Sequence, residues 1–107
     1  TIYVKSELLS NHLDGKIDYL KMDIEGAEFQ VLRECQSKLN NVDQLFIEYH
    51  NFIDRPQFLS EILGILKAKG FKYFLSNPGI HQNNPLVKAS EYLGMDFQVK
   101  IHAKKVQ

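Results

Sequence analysis

The chain has 107 residues, enough for one domain with one modest core and too few for a core plus a separate cofactor domain. Thirteen Lys and Arg balance thirteen Asp and Glu, so the basic excess of a nucleic-acid binder is missing, and a hydrophobic content of 44% excludes the composition of a disordered chain. The single cysteine, Cys35, rules out an internal disulfide, and the longest strongly apolar stretch, Ile62 to Leu66, is too short to cross a bilayer.

Thr1–Val4 is β-branched and aromatic and predicts a short opening strand. Ser6 to His12 predicts a short helix with Leu8, Leu9 and Leu13 on one face, and Asp14-Gly15 then supplies a turn. Ile17–Ile24 is the first clear strand. Its apolar residues fall on both parities, the pattern of a strand buried on both faces in a parallel sheet. Gly26 punctuates it, and Ala27–Leu39 predicts a helix with Ala27, Val31, Leu32, Cys35 and Leu39 on one stripe, ended by Asn40-Asn41.

Gln44–Tyr49 predicts a second strand. Arg55-Pro56 places a proline in the first turn of a further helix, where its missing N–H costs nothing. Leu59, Ile62, Leu63 and Leu66 form that helix's apolar stripe, Lys67 and Lys69 fill its last turn, and Gly70 caps it. Phe71–Leu75 predicts a third strand and Asn77–Asp96 a long loop. Phe97–Ala103 alternates cleanly, with Phe97, Val99, Ile101 and Ala103 on one face, which fits an antiparallel edge strand with one wet face. The order β-α-β-α-β-loop-β argues for an α/β sheet, mainly parallel, with an antiparallel last strand.

Open α/β sheets bind ligands beyond the carboxyl ends of their strands. Two polar clusters fall there, Asp23-Ile24-Glu25-Gly26-Ala27-Glu28 and Glu48-Tyr49-His50-Asn51. If the two strands are neighbours, Asp23, Glu25, Glu48 and His50 converge on one rim. Each has a plainer reading. Asp23 is placed to cap the next helix, Glu25 and Glu28 to face the helix dipole, and Glu48 and His50 to bond neighbouring loops. Gly26 permits close backbone approach or an unusual φ. Cys35, on the apolar stripe, reads as core filling. His12, His81 and His102 are weaker candidates. The G-x-G-x-x-G, P-loop and G-x-S-x-G motifs are all missing.

The octapeptide Lys21-Met22-Asp23-Ile24-Glu25-Gly26-Ala27-Glu28 resembles the K-[IV]-D-[IV]-E-G-A-E signature of the FkbM methyltransferases, with Met22 as a mild apolar swap. The segment ending Glu48-Tyr49-His50 is similar to that family's apolar strand ending in Glu-x-His. The following helix, the Gly-Phe strand, the long loop and the closing strand extend the likeness over nearly the whole chain. The resemblance implies a class I Rossmann-like fold and S-adenosylmethionine as cofactor. It places the four later strands as the fourth to seventh of that fold. The first three strands and the glycine-rich cofactor loop are then lacking, because no two of the six glycines are close enough to form that loop. Residues 1–107 would be a single partial domain, the C-terminal half of the enzyme, inactive alone.

On this reading the reaction is O-methylation of a sugar or small-molecule hydroxyl. The catalytic candidates are Asp23, Glu48 and His50, and the cofactor-binding candidates Asp23, Glu25 and Gly26, with no metal. Asp23 would sit near the transferred methyl group, and Glu48 or His50 would accept the hydroxyl proton. The expected partners are a small-molecule or glycan substrate, neither nucleic acid nor membrane, and a second copy paired through the exposed sheet edge. A reducing, cytoplasmic location is expected. Two alternatives stand beside it: an oxygen-rich Mg²⁺ or Mn²⁺ site on Asp23, Glu25, Glu48 and His50 supporting hydrolysis, and a non-catalytic α/β module that pairs with another chain.

Overall fold

A computed structural model describes residues 13–23, 27–77, 82, 86–87 and 92–106. The opening strand at 1–4 and the helix at 6–12 lie outside the described residues. The elements are β1 (Ile17–Met22), α1 (Glu28–Cys35), a 3-10 helix (Gln36–Asn41), β2 (Val42–Phe52), α2 (Leu59–Ala68), β3 (Phe71–Ser76) and β4 (Met95–Lys105). They form a mixed α/β fold on one four-stranded sheet in the order β1-β2-β4-β3. β1 and β2 are parallel, and β4 runs antiparallel to both β2 and β3. Three strands therefore point one way and the last opposes them, although only one pairing is parallel.

The core lies between the helices and one face of the sheet. Leu20 and Met22 of β1, Leu45, Ile47 and Tyr49 of β2, and Val99, Ile101 and Ala103 of β4 cluster with Leu32 and Cys35 of α1 and Ile62 and Leu66 of α2. β1 accordingly is not buried on both sides: in its second half Leu20 and Met22 are buried on one face, while Tyr19 is half-buried and Lys21 exposed on the other. The expectation of a strand covered on both faces is corrected to a sheet covered by helices on one face among the described residues. The other face carries the cross-strand row Lys21, Phe46, His102 and Phe74, in which His102 meets Phe46 edge-on at 5.0 Å.

β4 is not an edge strand, contrary to its reading from alternation. It lies between β2 and β3, and its alternation records one wet sheet face, not a missing neighbour. The helix expected over Ala27–Leu39 tightens after Cys35 into the 3-10 turn, where Ser37, Asn40 and Asn41 are weak helix formers, and Leu39 stays buried. Pro56 precedes α2 instead of occupying its first turn. The chain reaches the helix through Phe58, whose N–H donates to the Tyr49 hydroxyl at 2.8 Å and whose ring stacks on Phe29 at 4.8 Å.

Gly70, with φ +86°, ends α2, and its N–H donates to the Lys67 carbonyl at 3.1 Å. Lys105 reaches back from the end of β4 and donates to the carbonyls of Leu39 and Lys69, both at 3.0 Å, with Phe71 beneath its ammonium at 4.2 Å. At the other end of the sheet, Tyr92 and Met95 exchange backbone hydrogen bonds around Leu93 and Gly94. Both central residues have positive φ, so the turn is of the primed hairpin type.

Candidate functional site

The carboxyl ends of β1 and β2 meet on the sheet face opposite the helices. The register Lys21↔Phe46 and strand alternation bring Asp23, Glu48 and His50 to that face. His50 Nε2 lies 4.0 Å from Asp23 Oδ1 and 3.8 Å from Glu48 Oε1. The side chains differ in exposure: 46% for Asp23, 20% for Glu48 and 5% for His50. The convergence expected of these three is therefore present. Glu25 and Gly26 lie outside the described residues.

Glu28 completes the cluster from α1. β2 runs on past the last β1 pair, Met22↔Ile47, so its backbone there has no strand partner on that side among the described residues. Glu28 takes up the free group: Oε1 accepts the backbone N–H of His50 at 2.7 Å, and Oε2 accepts that of Ala27 at 3.1 Å. A carboxylate with no solvent exposure is costly unless bonded in this way. The same Oε1 lies 3.5 Å from His50 Nδ1. That contact is close enough for charge attraction but falls short of hydrogen-bond geometry. The first-turn acid, which reads equally well as a dipole partner, is thus a buried tie between α1 and β2.

The imidazole titrates above its ordinary range. The contact with Glu28 is the largest cause; burial opposes it, and the charges of Glu28, Asp23 and Glu48 add to the rise. β4 supplies Gln98, which faces His50 across the ladder. Its amide nitrogen donates to Glu48 Oε1 and stands 3.4 Å from His50 Nε2. Sequence reasoning missed Gln98, because only the pairing of β4 with β2 brings it there. The one signal available was its place on the polar face of the last strand.

Beside this cluster is a cavity of about 80 Å³, walled by Phe29, Phe52 and Phe58, with His50, Asn51 and Arg55 among its polar lining. A chain of bonds supports it. Tyr49 Oη donates to Asn51 Oδ1 at 3.0 Å, and Asn51 Nδ2 donates to Asp96 Oδ1 at 2.8 Å. Cys35 is core filling as expected: it is buried, and burial, with the Glu34 charge adding, pushes its thiol up to about 12. His102 sits on the open sheet face, away from the cluster, while His12 and His81 lie outside the described residues. Among the described residues, no group of three or more His, Cys, Asp or Glu side chains is placed to hold a metal ion, and no helix is long and apolar enough to cross a membrane.

Comparisons with curated proteins and with solved structures returned no match. The profile of the methyltransferase FkbM domain matches residues 1–73, which include β1, α1, β2, α2 and the whole Asp23–Glu28–Glu48–His50 cluster. With more than half its length matched, the chain belongs to the FkbM methyltransferase family.

Proposed function

We propose that this chain carries the methyl-transfer end of an S-adenosylmethionine-dependent O-methyltransferase acting on a sugar or small-molecule hydroxyl. The observation that carries the reading is the buried imidazole of His50, ringed by the carboxylates of Asp23, Glu28 and Glu48 at the carboxyl ends of two parallel strands. This donor set is acidic and holds no Lys or Arg, so it suits a cationic sulfonium and a hydroxyl that must lose a proton. The neighbouring cavity of about 80 Å³ among the described residues is well below the volume of an ordinary small-molecule pocket, which supports placing the nucleoside part of the cofactor elsewhere. Residues 1–107 are on this reading a partial methyltransferase domain, the counterpart of the C-terminal half of the Rossmann-like fold, and inactive alone. The nucleoside side is assigned to polypeptide other than these residues, either more of the same protein or a second copy paired along the outer edge of β1.

When bound, the cofactor supplies a methyl group made electrophilic by its positive sulfur. His50 takes the proton of the acceptor hydroxyl, with Glu28 stabilising the imidazolium that results. Asp23, the most exposed of the three carboxylates, accepts a hydrogen bond from acceptor or cofactor and fixes its approach. Glu48 is the second proton acceptor on the rim. Glu25 and Gly26, which follow Asp23 in the sequence, are assigned to cofactor contact.

The experiment is a calorimetric titration of the 107-residue chain, and of a longer natural chain containing it, with S-adenosylhomocysteine. Methyl transfer to a panel of hydroxyl compounds is then assayed on whichever chain binds. Binding by the longer chain only is expected, with His50→Asn and Asp23→Asn each lowering turnover by roughly 10²–10⁴-fold. Binding by the 107 residues as a monomer would overturn the partial-domain reading. Unchanged turnover in both variants would overturn the site assignment.

A further inference from the structure

His50 stands between two sets of groups, one at each ring nitrogen. At Nε2 are Asp23 Oδ1 at 4.0 Å, Glu48 Oε1 at 3.8 Å and the Gln98 amide nitrogen at 3.4 Å. At Nδ1 is Glu28 Oε1 at 3.5 Å, and no solvent reaches that nitrogen. A neutral imidazole carries one proton, and the nitrogen that lacks it is the base.

The Gln98 amide fixes one side. It contacts Glu48 Oε1, and a carboxylate only accepts, so Gln98 turns its NH₂ there and not its oxygen. The same NH₂ faces His50 Nε2. An NH₂ only donates, so the nitrogen opposite it is favoured as a lone pair. Glu28 fixes the other side. A lone pair on buried Nδ1 would face a carboxylate oxygen 3.5 Å away and be repelled by it, whereas a proton there is attracted to that oxygen by its charge. Asp23 and Glu48 pull the proton toward Nε2, but both stand beyond hydrogen-bond distance and Glu48 Oε1 is already engaged by Gln98.

We infer that Glu28 and Gln98 are positioning residues that hold neutral His50 as the Nδ1–H tautomer, leaving Nε2 as the basic nitrogen turned toward the rim of Asp23 and Glu48. Glu28 does this from a fixed position, because its two oxygens are held by the backbone N–H groups of His50 and Ala27. Among the described residues, the groups facing the ring are Asp23 after β1, Glu28 from α1, Glu48 from β2 and the neutral Gln98 from β4. The tautomer stands on this geometry alone; the use of Nε2 as a base rests on the methyl-transfer reading.

The test is ¹⁵N NMR of the full 107-residue chain with labelled histidine, at a pH where the ring is neutral. His50 is identified by the signals lost in His50→Asn. The expected spectrum has the proton on Nδ1 and an unprotonated, pyridine-type Nε2. Glu28→Gln and Gln98→Met are each expected to raise the Nε2–H form several-fold. Gln98 is only half-buried, so its variant decides the matter if Glu28→Gln does not fold. A proton on Nε2 in the unsubstituted chain, or no change in a folded Gln98→Met, overturns the proposal. In the methyl-transfer assay Gln98→Met is expected to lower kcat with KM unchanged. The correct tautomer without methyl transfer in any chain would instead sink the functional reading and leave the positioning roles standing.

Discussion

At the residue scale, the exchange between Glu28 and His50 makes stability depend on pH in a definite direction. The folded-state pKa of His50 lies above its ordinary value of about 6.5, because Glu28 favours the charged ring more than burial disfavours it. The pair's contribution is therefore complete below the unfolded value and is lost as pH rises through the folded one. Denaturant unfolding should show the stability advantage over His50→Asn shrinking above pH ~6.5 and levelling off once the folded ring is neutral. Methyl transfer should run the opposite way, rising as His50 sheds its proton. Cys35 gives a second prediction at this scale. With its thiol pushed up to about 12 and the residue buried, it should resist alkylation in the native chain at pH ~8 and react once denaturant unfolds it.

At the element scale, Tyr49 joins three pieces of the chain. Its hydroxyl accepts the Phe58 N–H at the start of α2 and donates to Asn51, which in turn reaches Asp96 at the start of β4. Tyr49→Phe leaves a part-buried N–H and an amide oxygen unpaired and should cost about 1–3 kcal/mol, measured as a fall in denaturation midpoint. Because α2 starts through this bond, the same variant should loosen the Phe29–Phe58 stack beside the cavity. The hairpin before β4 gives the reverse prediction. Leu93 holds φ 52°, a conformation that suits Asn or Gly, and its side chain is 76% exposed. Leu93→Asn should therefore stabilise the chain by up to roughly 1 kcal/mol, read as a higher melting temperature.

At the scale of the whole molecule, β1 pairs with β2 on one side and has no strand on the other among the described residues. An unpaired edge next to a candidate site invites another strand. Under the partial-domain reading, sedimentation of the 107-residue chain should shift to larger species as concentration rises, while a longer chain that supplies the missing strand should not. The sheet face away from the helices adds to this expectation, since Phe74 is 58% exposed there.

The elements and the rim were legible in the sequence because they depend on local pattern. The apolar stripe Leu59-Ile62-Leu63-Leu66 needs only helical spacing, and Asp23 and His50 needed only the rule that a parallel strand ends at its ligand. Long-range pairing is what the pattern does not carry. Alternation in Phe97–Ala103 is the same whether that strand is at the edge or between two others, so the position of β4, and with it Gln98, waited for the sheet order. Burial on one face or two is likewise undecided by the apolar residues of β1, because only the placement of α1 and α2 shows which face they cover. Glu28 looked like any first-turn acid until β2 was seen to outrun β1, leaving the His50 N–H for it to accept. The residue types, the order of the strands and helices from Ile17 on and the family signature were thus determined by the sequence alone, whereas the strand bounds moved: β2, expected over Gln44–Tyr49, runs over Val42–Phe52. Which carboxylate holds the histidine, and which nitrogen faces the rim, was decided by tertiary structure, because these follow from contacts between segments far apart in the chain.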